Sequence, residues 1–140
     1  MTEARNVFTY GSLMFPVVWD RVVKGRYRSS EATVHGFQRL RIRNEHYPAL
    51  IINANASALT GRVYYGVSAE DIVRLDHFET GDYARVSIAV TVAGKAIAAD
   101  AYLTLKPESL DHEEWSPDIF EKDGLDAFLA TYAVTNTPPK

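Results

Sequence analysis

The sequence predicts a single α+β domain, a small mixed β-barrel of about six strands with three flanking helices. Three observations lead there. Six short runs rich in β-branched and aromatic residues recur along the 140 residues, several joined by turns too short to hold a helix. Three other segments combine apolar residues at helical spacing with capping signals. The composition is globular, with 46% hydrophobic and 24% charged residues. The expected order is β-α-β-β-β-α-β-β-α, with the domain over residues 1–134 and a flexible tail over 135–140.

Val7-Phe8-Thr9-Tyr10 is a β-type run ending at Gly11. Pro16 suits a first helical turn, Val17, Val18, Arg21 and Val22 continue at helical spacing, and Gly25 is placed to stop that helix. Ala32 to Arg43 reads as one extended segment with a bulge or bend at Gly36. Within it Arg39, Arg41 and Arg43 alternate with Leu40 and Ile42, the pattern of a strand with one solvated face. An anion-binding role for those arginines is the lesser alternative. Tyr47–Ile52 and Leu59–Val67 are the next strands, separated by a turn over Asn53–Ser57. Ser68-Ala69-Glu70-Asp71 has the order of a helix start, and the helix should end at Phe78 or Glu79, before Gly81. Tyr83–Ala93 and Lys95–Leu105 form a hairpin around Gly94. Lys106–Trp115 reads as a loop, and Ser116-Pro117-Asp118 opens a last helix with Phe120, Leu125, Phe128, Leu129 and Tyr132 on one face.

Several function classes are disfavoured at once. There are no cysteines, so a disulfide scaffold, a thiolate metal site and a cysteine nucleophile are excluded. A net charge of −3 argues against nucleic acid as the main partner. His35, His46, His77 and His112 show no paired spacing for metal. No run approaches the ~20 apolar residues of a membrane-spanning helix, and no leader pattern is visible. The expectation is a cytoplasmic protein without metal, cofactor, membrane or nucleic-acid partner. The sequence does not indicate an oligomeric state.

Glu79 is the most informative residue. On a helical wheel it falls inside the apolar stripe of Ile72 and Leu75, whereas Arg74 and His77 point away and Asp76 lies at the stripe's edge. Burial and the negative end of the helix both raise a carboxyl pKa toward the range of a general base. The structural alternative is a buried acid paired with Arg85 or a tyrosine hydroxyl. Tyr10-Gly11-Ser12-Leu13, a strand turning through glycine into a helix, leaves backbone N–H groups available to a carboxylate or phosphate. An ordinary βα turn is the alternative there. Tyr47, Tyr64, Tyr65, Tyr83 and Tyr102 lie in or beside strands, mostly as core residues, with one or two available to line a pocket.

These residues resemble a known family. Phe8-Thr9-Tyr10-Gly11-Ser12-Leu13-Met14 is similar to the Tyr-Gly-(Ser/Thr)-Leu signature of the γ-glutamylcyclotransferase-like superfamily. Leu75-Asp76-His77-Phe78-Glu79 through Tyr83-Ala84-Arg85 is similar to its Leu-Asp-x-Phe-Glu…Tyr-x-Arg block. Tyr47-Pro48 and Gly61-Arg62-Val63-Tyr64 resemble two further segments, and Trp115–Phe128 looks like the trailing helix of the avirulence-induced branch. Thr80 departs from the glycine usual after the acid.

The resemblance implies a barrel with a cavity and cofactor-free release of 5-oxoproline from a γ-glutamyl amine or amino acid by intramolecular aminolysis. Glu79 would be the general base and acid. Tyr10, Gly11, Ser12, Leu13, Tyr47, Tyr83 and Tyr102 would bind substrate, with Arg85 in support. A non-catalytic module binding small carboxylates on the same scaffold is the rival.

Overall fold

The structure, a computed structural model, describes residues 4–43 and 48–131. Among them are eight strands, two more than the sequence predicts: β1 (Arg5–Thr9), β2 (Ser29–Val34), β3 (Phe37–Ile42), β4 (Pro48–Ile52), β5 (Leu59–Val67), β6 (Tyr83–Val92), β7 (Lys95–Thr104) and β8 (Leu110–Glu114). The helices are α1 (Pro16–Val22), α2 (Ala69–Glu79) and a C-terminal run of α3 (Pro117–Ile119), a π-helical turn over Phe120–Gly124, and α4 (Leu125–Thr131). Strands β1-β5-β2-β6-β7 close into a barrel, and β4-β3-β8 form a second sheet. All barrel pairs are antiparallel except β1 with β7.

The extra strands come from two places. The extended segment from Ala32 is divided at Gly36, which adopts φ +83°. That left-handed conformation, open to glycine, makes the bend that the sequence allowed there. β2 therefore stays in the barrel while β3 opens the second sheet. The other new strand is β8, in the segment expected to be a loop. Its acid-rich sequence faces the arginine-rich β3, and Arg41 pairs with Glu113 at 3.6 Å. The expected solvated arginine face holds at Arg41 and Arg43, which stay in contact with solvent, and is corrected at Arg39. Arg41 has an acid, Arg43 donates to the Glu108 and Leu110 carbonyls, and Arg39 turns inward.

Period-two alternation builds two cores. Phe8, Val63, Ala32, Val34, Val90, Ala99 and Ala101, drawn from all five barrel strands, join Tyr10 and Leu50 in one cluster. Their neighbours Val7, Tyr64 and Tyr102 face outward and pack with α1, α2 and the C-terminal helices. Trp19 of α1 stacks flat on Tyr64, ring centres 3.7 Å apart. Gly61 permits the β1–β5 approach, since a Cβ there would lie 2.2 Å from the Thr9 carbonyl oxygen.

Helix α2 starts as expected, the Ser68 hydroxyl accepting the Asp71 N–H at 3.2 Å. The Asp71 side chain has a different task. At 1% exposure it accepts the N–H groups of Lys24 and Gly25, the Tyr27 hydroxyl, and Arg74. Gly25 serves that contact and does not end α1, whose last turn closes at Val23 onto Trp19. A Cβ on Gly25 would fall 2.6 Å from the Tyr27 hydroxyl oxygen. Among the described residues no helix is long and apolar enough to cross a membrane. The tail expected over 135–140 lies outside the described residues.

Candidate active site

The turn after β1 and the end of α2 meet around three tyrosines. At the turn, Gly11 and Ser12 accept the N–H groups of Met14 and Phe15, closing a short 3₁₀ turn over Ser12–Met14. The N–H groups of Gly11, Ser12 and Leu13 find no acceptor among the described residues. Three successive unpaired donors form a natural seat for an anion. Glycine is required at position 11 for space: a Cβ would sit 2.8 Å from Cδ of Pro48. The same proline presents its carbonyl to the Tyr83 hydroxyl at 3.2 Å.

Tyr10 is buried and its hydroxyl donates to the Tyr102 carbonyl. Its pKa is raised well above the usual tyrosine value by burial, then by the nearby Glu79 carboxylate and by Tyr83. Tyr102 is raised by burial, by its hydrogen bond to Asp76, and by the same Glu79. Glu79 therefore lies within electrostatic reach of both tyrosines.

Glu79 is the last residue of α2 and is half-buried. Its carboxyl has no hydrogen bond or ion pair among the described residues. Burial pushes its pKa from 4.5 to about 8, with the Asp76 carboxylate, one helical turn back, as the second cause. Burial is the cause expected from the sequence, and the like charge of Asp76 adds to it.

An open cleft of about 320 Å³ adjoins these groups, lined by Asp76, Tyr83, Arg85 and Tyr102. Arg85 does not support Glu79, contrary to the pairing considered from the sequence. It donates to Asp76 Oδ1 at 2.9 Å and to Asp100 Oδ2 at 2.7 Å. Those contacts, the hydrogen bond to Asp76 foremost, raise its pKa. Tyr102 adds its hydroxyl to Asp76 at 2.6 Å, and Arg5 joins Asp100 at 2.6 Å. Arg85 is thus spent on two other acids, which leaves the Glu79 carboxyl without a cation to lower its pKa.

Of the residues singled out from the sequence, Tyr10, Gly11, Glu79, Tyr83 and Tyr102 converge. Ser12 is buried, and Leu13 contributes its N–H while its side chain belongs to the helix-side core. Tyr47 lies outside the described residues. Asp76, Asp100 and Pro48 were not named as site residues. Asp76 shares a helix face with Glu79 three positions on, and Asp100 is a lone acid in an alanine-rich strand. Both are readable signals once the partner strand is known.

The closed barrel with its flanking helices is shared with solved structures of γ-glutamyl-cyclotransferase-like proteins. A solution structure from Arabidopsis thaliana superimposes with a TM-score of 0.71 at 25% identity, covering 94% of this chain and 89% of that one. A structure titled gamma-glutamyl cyclotransferase matches with a TM-score of 0.63 over 99% of this chain and 90% of that one; at 16% identity it speaks for the fold alone. Residues 7–118 match the family described as gamma-glutamyl cyclotransferase, AIG2-like, and the chain belongs to that family. Among curated relatives, Protein AIG2 C of Arabidopsis thaliana is 26% identical over 121 residues, 81% of this chain and 73% of that protein.

Proposed function

We propose that this protein releases 5-oxoproline from a γ-glutamyl amine or γ-glutamyl amino acid, with Glu79 as the proton-transfer group. The observation that carries this reading is the Glu79 carboxyl, pushed up to about 8 and unpaired among the described residues, coupled to Tyr10 at the head of the donor-rich turn.

The chemistry follows from those groups. The substrate's α-carboxylate sits on the N–H groups of Gly11, Ser12 and Leu13, which restrains an otherwise flexible chain in a ring-closing shape. The α-ammonium gives a proton to the Glu79 carboxylate. The raised pKa of Glu79 makes it a stronger base than an ordinary carboxylate and narrows the gap to the substrate's amine. The freed nitrogen attacks the γ-carbonyl, a C–N bond forms, and the γ-amide C–N bond breaks. Glu79 returns that proton to the departing nitrogen. The carboxylate so regenerated takes the second proton from the new ring nitrogen and passes it to the released amine, yielding the five-membered lactam and an ammonium. The oxyanion that develops needs a donor, for which the turn's N–H groups and the tyrosine hydroxyls are the candidates.

A panel of γ-glutamyl compounds assayed for 5-oxoproline tests the proposal. Glu79→Gln should lower product release by about 10²-fold or more in a folded protein. Thermal stabilisation by 5-oxoproline with no turnover of any panel member would instead support the carboxylate-binding module.

A further inference from the structure

Arg39 makes contacts that neither the catalytic chemistry nor strand pairing calls for. It stands in β3, outside the barrel, yet its side chain crosses to the barrel. Nη1 donates to the Tyr10 carbonyl at 2.9 Å and to the Thr60 carbonyl at 3.2 Å. The guanidinium lies 5.4 Å from the centre of the Trp115 ring, and the Trp115 N–H donates to the Arg39 carbonyl at 3.3 Å. Its Nε is buried and has no partner among the described residues.

Such an arrangement is costly. An unsatisfied buried donor has given up its hydrogen bond to water without a replacement, and burial lowers the Arg39 pKa, with the Glu114 charge opposing. A strand-face arginine could avoid both costs by reaching into water. What the inward position achieves is control of one peptide group. The Tyr10 carbonyl and the Gly11 N–H belong to the same trans peptide and point in opposite directions. A cation holding the carbonyl therefore also aims the amide. It polarises that peptide as well, making the Gly11 N–H a better donor.

We propose that Arg39 is a positioning residue: reaching from the second sheet to the Tyr10 carbonyl, it sets the Tyr10–Gly11 peptide so that the Gly11 N–H faces the substrate's carboxylate. This rests on the carboxylate seat proposed above. Trp115 holds the guanidinium plane, and Thr60 supplies a second carbonyl that keeps the fork from swinging away.

The test uses Arg39→Lys and Arg39→Met in the full chain. KM and kcat are measured on the best γ-glutamyl substrate, Kd for 5-oxoproline by calorimetry, and Tm separately. The seat is used in ground and transition states alike, so KM and Kd should rise about tenfold or more while kcat stays within about threefold. Lysine should fall between methionine and wild type. A purely structural role would lower Tm and leave KM unmoved. A cooperatively melting variant with KM and Kd within about twofold of wild type overturns the proposal. If neither variant folds, Arg39 is a determinant of the fold and the positioning role is refused. If wild type neither releases nor binds 5-oxoproline, the carboxylate seat itself falls and takes this role with it. Binding or turnover by wild type that both variants retain removes Arg39 alone.

Discussion

Glu79→Gln should make the protein less active and more stable, and the two effects have separate readouts. The folded state keeps the Glu79 carboxyl neutral up to about 8, against an ordinary 4.5. An unfolded chain ionises it near 4.5, so between those two values the unfolded state gains free energy that the folded state does not. Stability should therefore fall as pH rises through this window, the reverse of a paired carboxylate. The span is about 3.5 pH units at about 1.4 kcal/mol each, a ceiling of roughly 5 kcal/mol, of which about 4 applies at pH 7.5. Glu79 keeps some solvent contact, and screening reduces the effect to about 1–3 kcal/mol. Glutamine has the same shape without the charge, so Tm at pH 7.5 should rise by about 3–10 °C. At pH 4.5 the two proteins should melt within about 2 °C of each other. Melting curves of both proteins at five or six pH values provide the assay. A variant melting at or below wild type at pH 7.5, with the same pH slope, would show the carboxyl to be well solvated and remove the basis for its role as a base.

Three further outcomes follow from the same geometry. Because Glu79 must be ionised to accept a proton, kcat/KM should climb with pH and reach half its plateau near 8; Asp76→Asn, which removes the like charge, should move that limb to lower pH, and an unmoved limb would dismiss Asp76 as a cause. Gly11→Ala puts a Cβ against Pro48, 2.8 Å from its Cδ, and should cost about 1–3 kcal/mol in urea unfolding together with a raised KM. Asp71→Ala strands the Lys24 and Gly25 N–H groups, the Tyr27 hydroxyl and Arg74. A loss of about 3–5 kcal/mol is expected, and a change below about 1 kcal/mol would mean the loop before β2 is held by packing alone.

Local signals carried most of the fold. The bounds of β5 and the hairpin of β6 and β7 could be read almost to the residue, because their alternation and turn residues agree. The division at Gly36 was less legible, since a glycine within an extended run fits either a bulge or a turn to another sheet. Only the pairing of β3 with β4 and β8 decides between them. β8 itself has too few apolar residues to announce a strand, and its partner is about seventy positions earlier in sequence. At the site, Glu79 stood out because a wheel places an acid on an apolar face. The partners of Arg85 did not: Asp76 and Asp100 reach it through tertiary contacts that no local pattern encodes. Arg39 was misjudged for a related reason. Alternation assigns a side to a strand residue, but a long flexible side chain can leave that side.

The shared oxygen of Asp100 has a practical consequence. Arg5, in the first strand, and Arg85, beside the cleft, grip the same Oδ2. Any change that weakens one grip leaves the other guanidinium with a larger share of that oxygen. A change that removes or displaces Arg5 therefore acts on an acid that is joined to Asp76 through Arg85. Kinetic comparisons between preparations with different leading segments are sound only when Arg5 and its ion pair are kept intact.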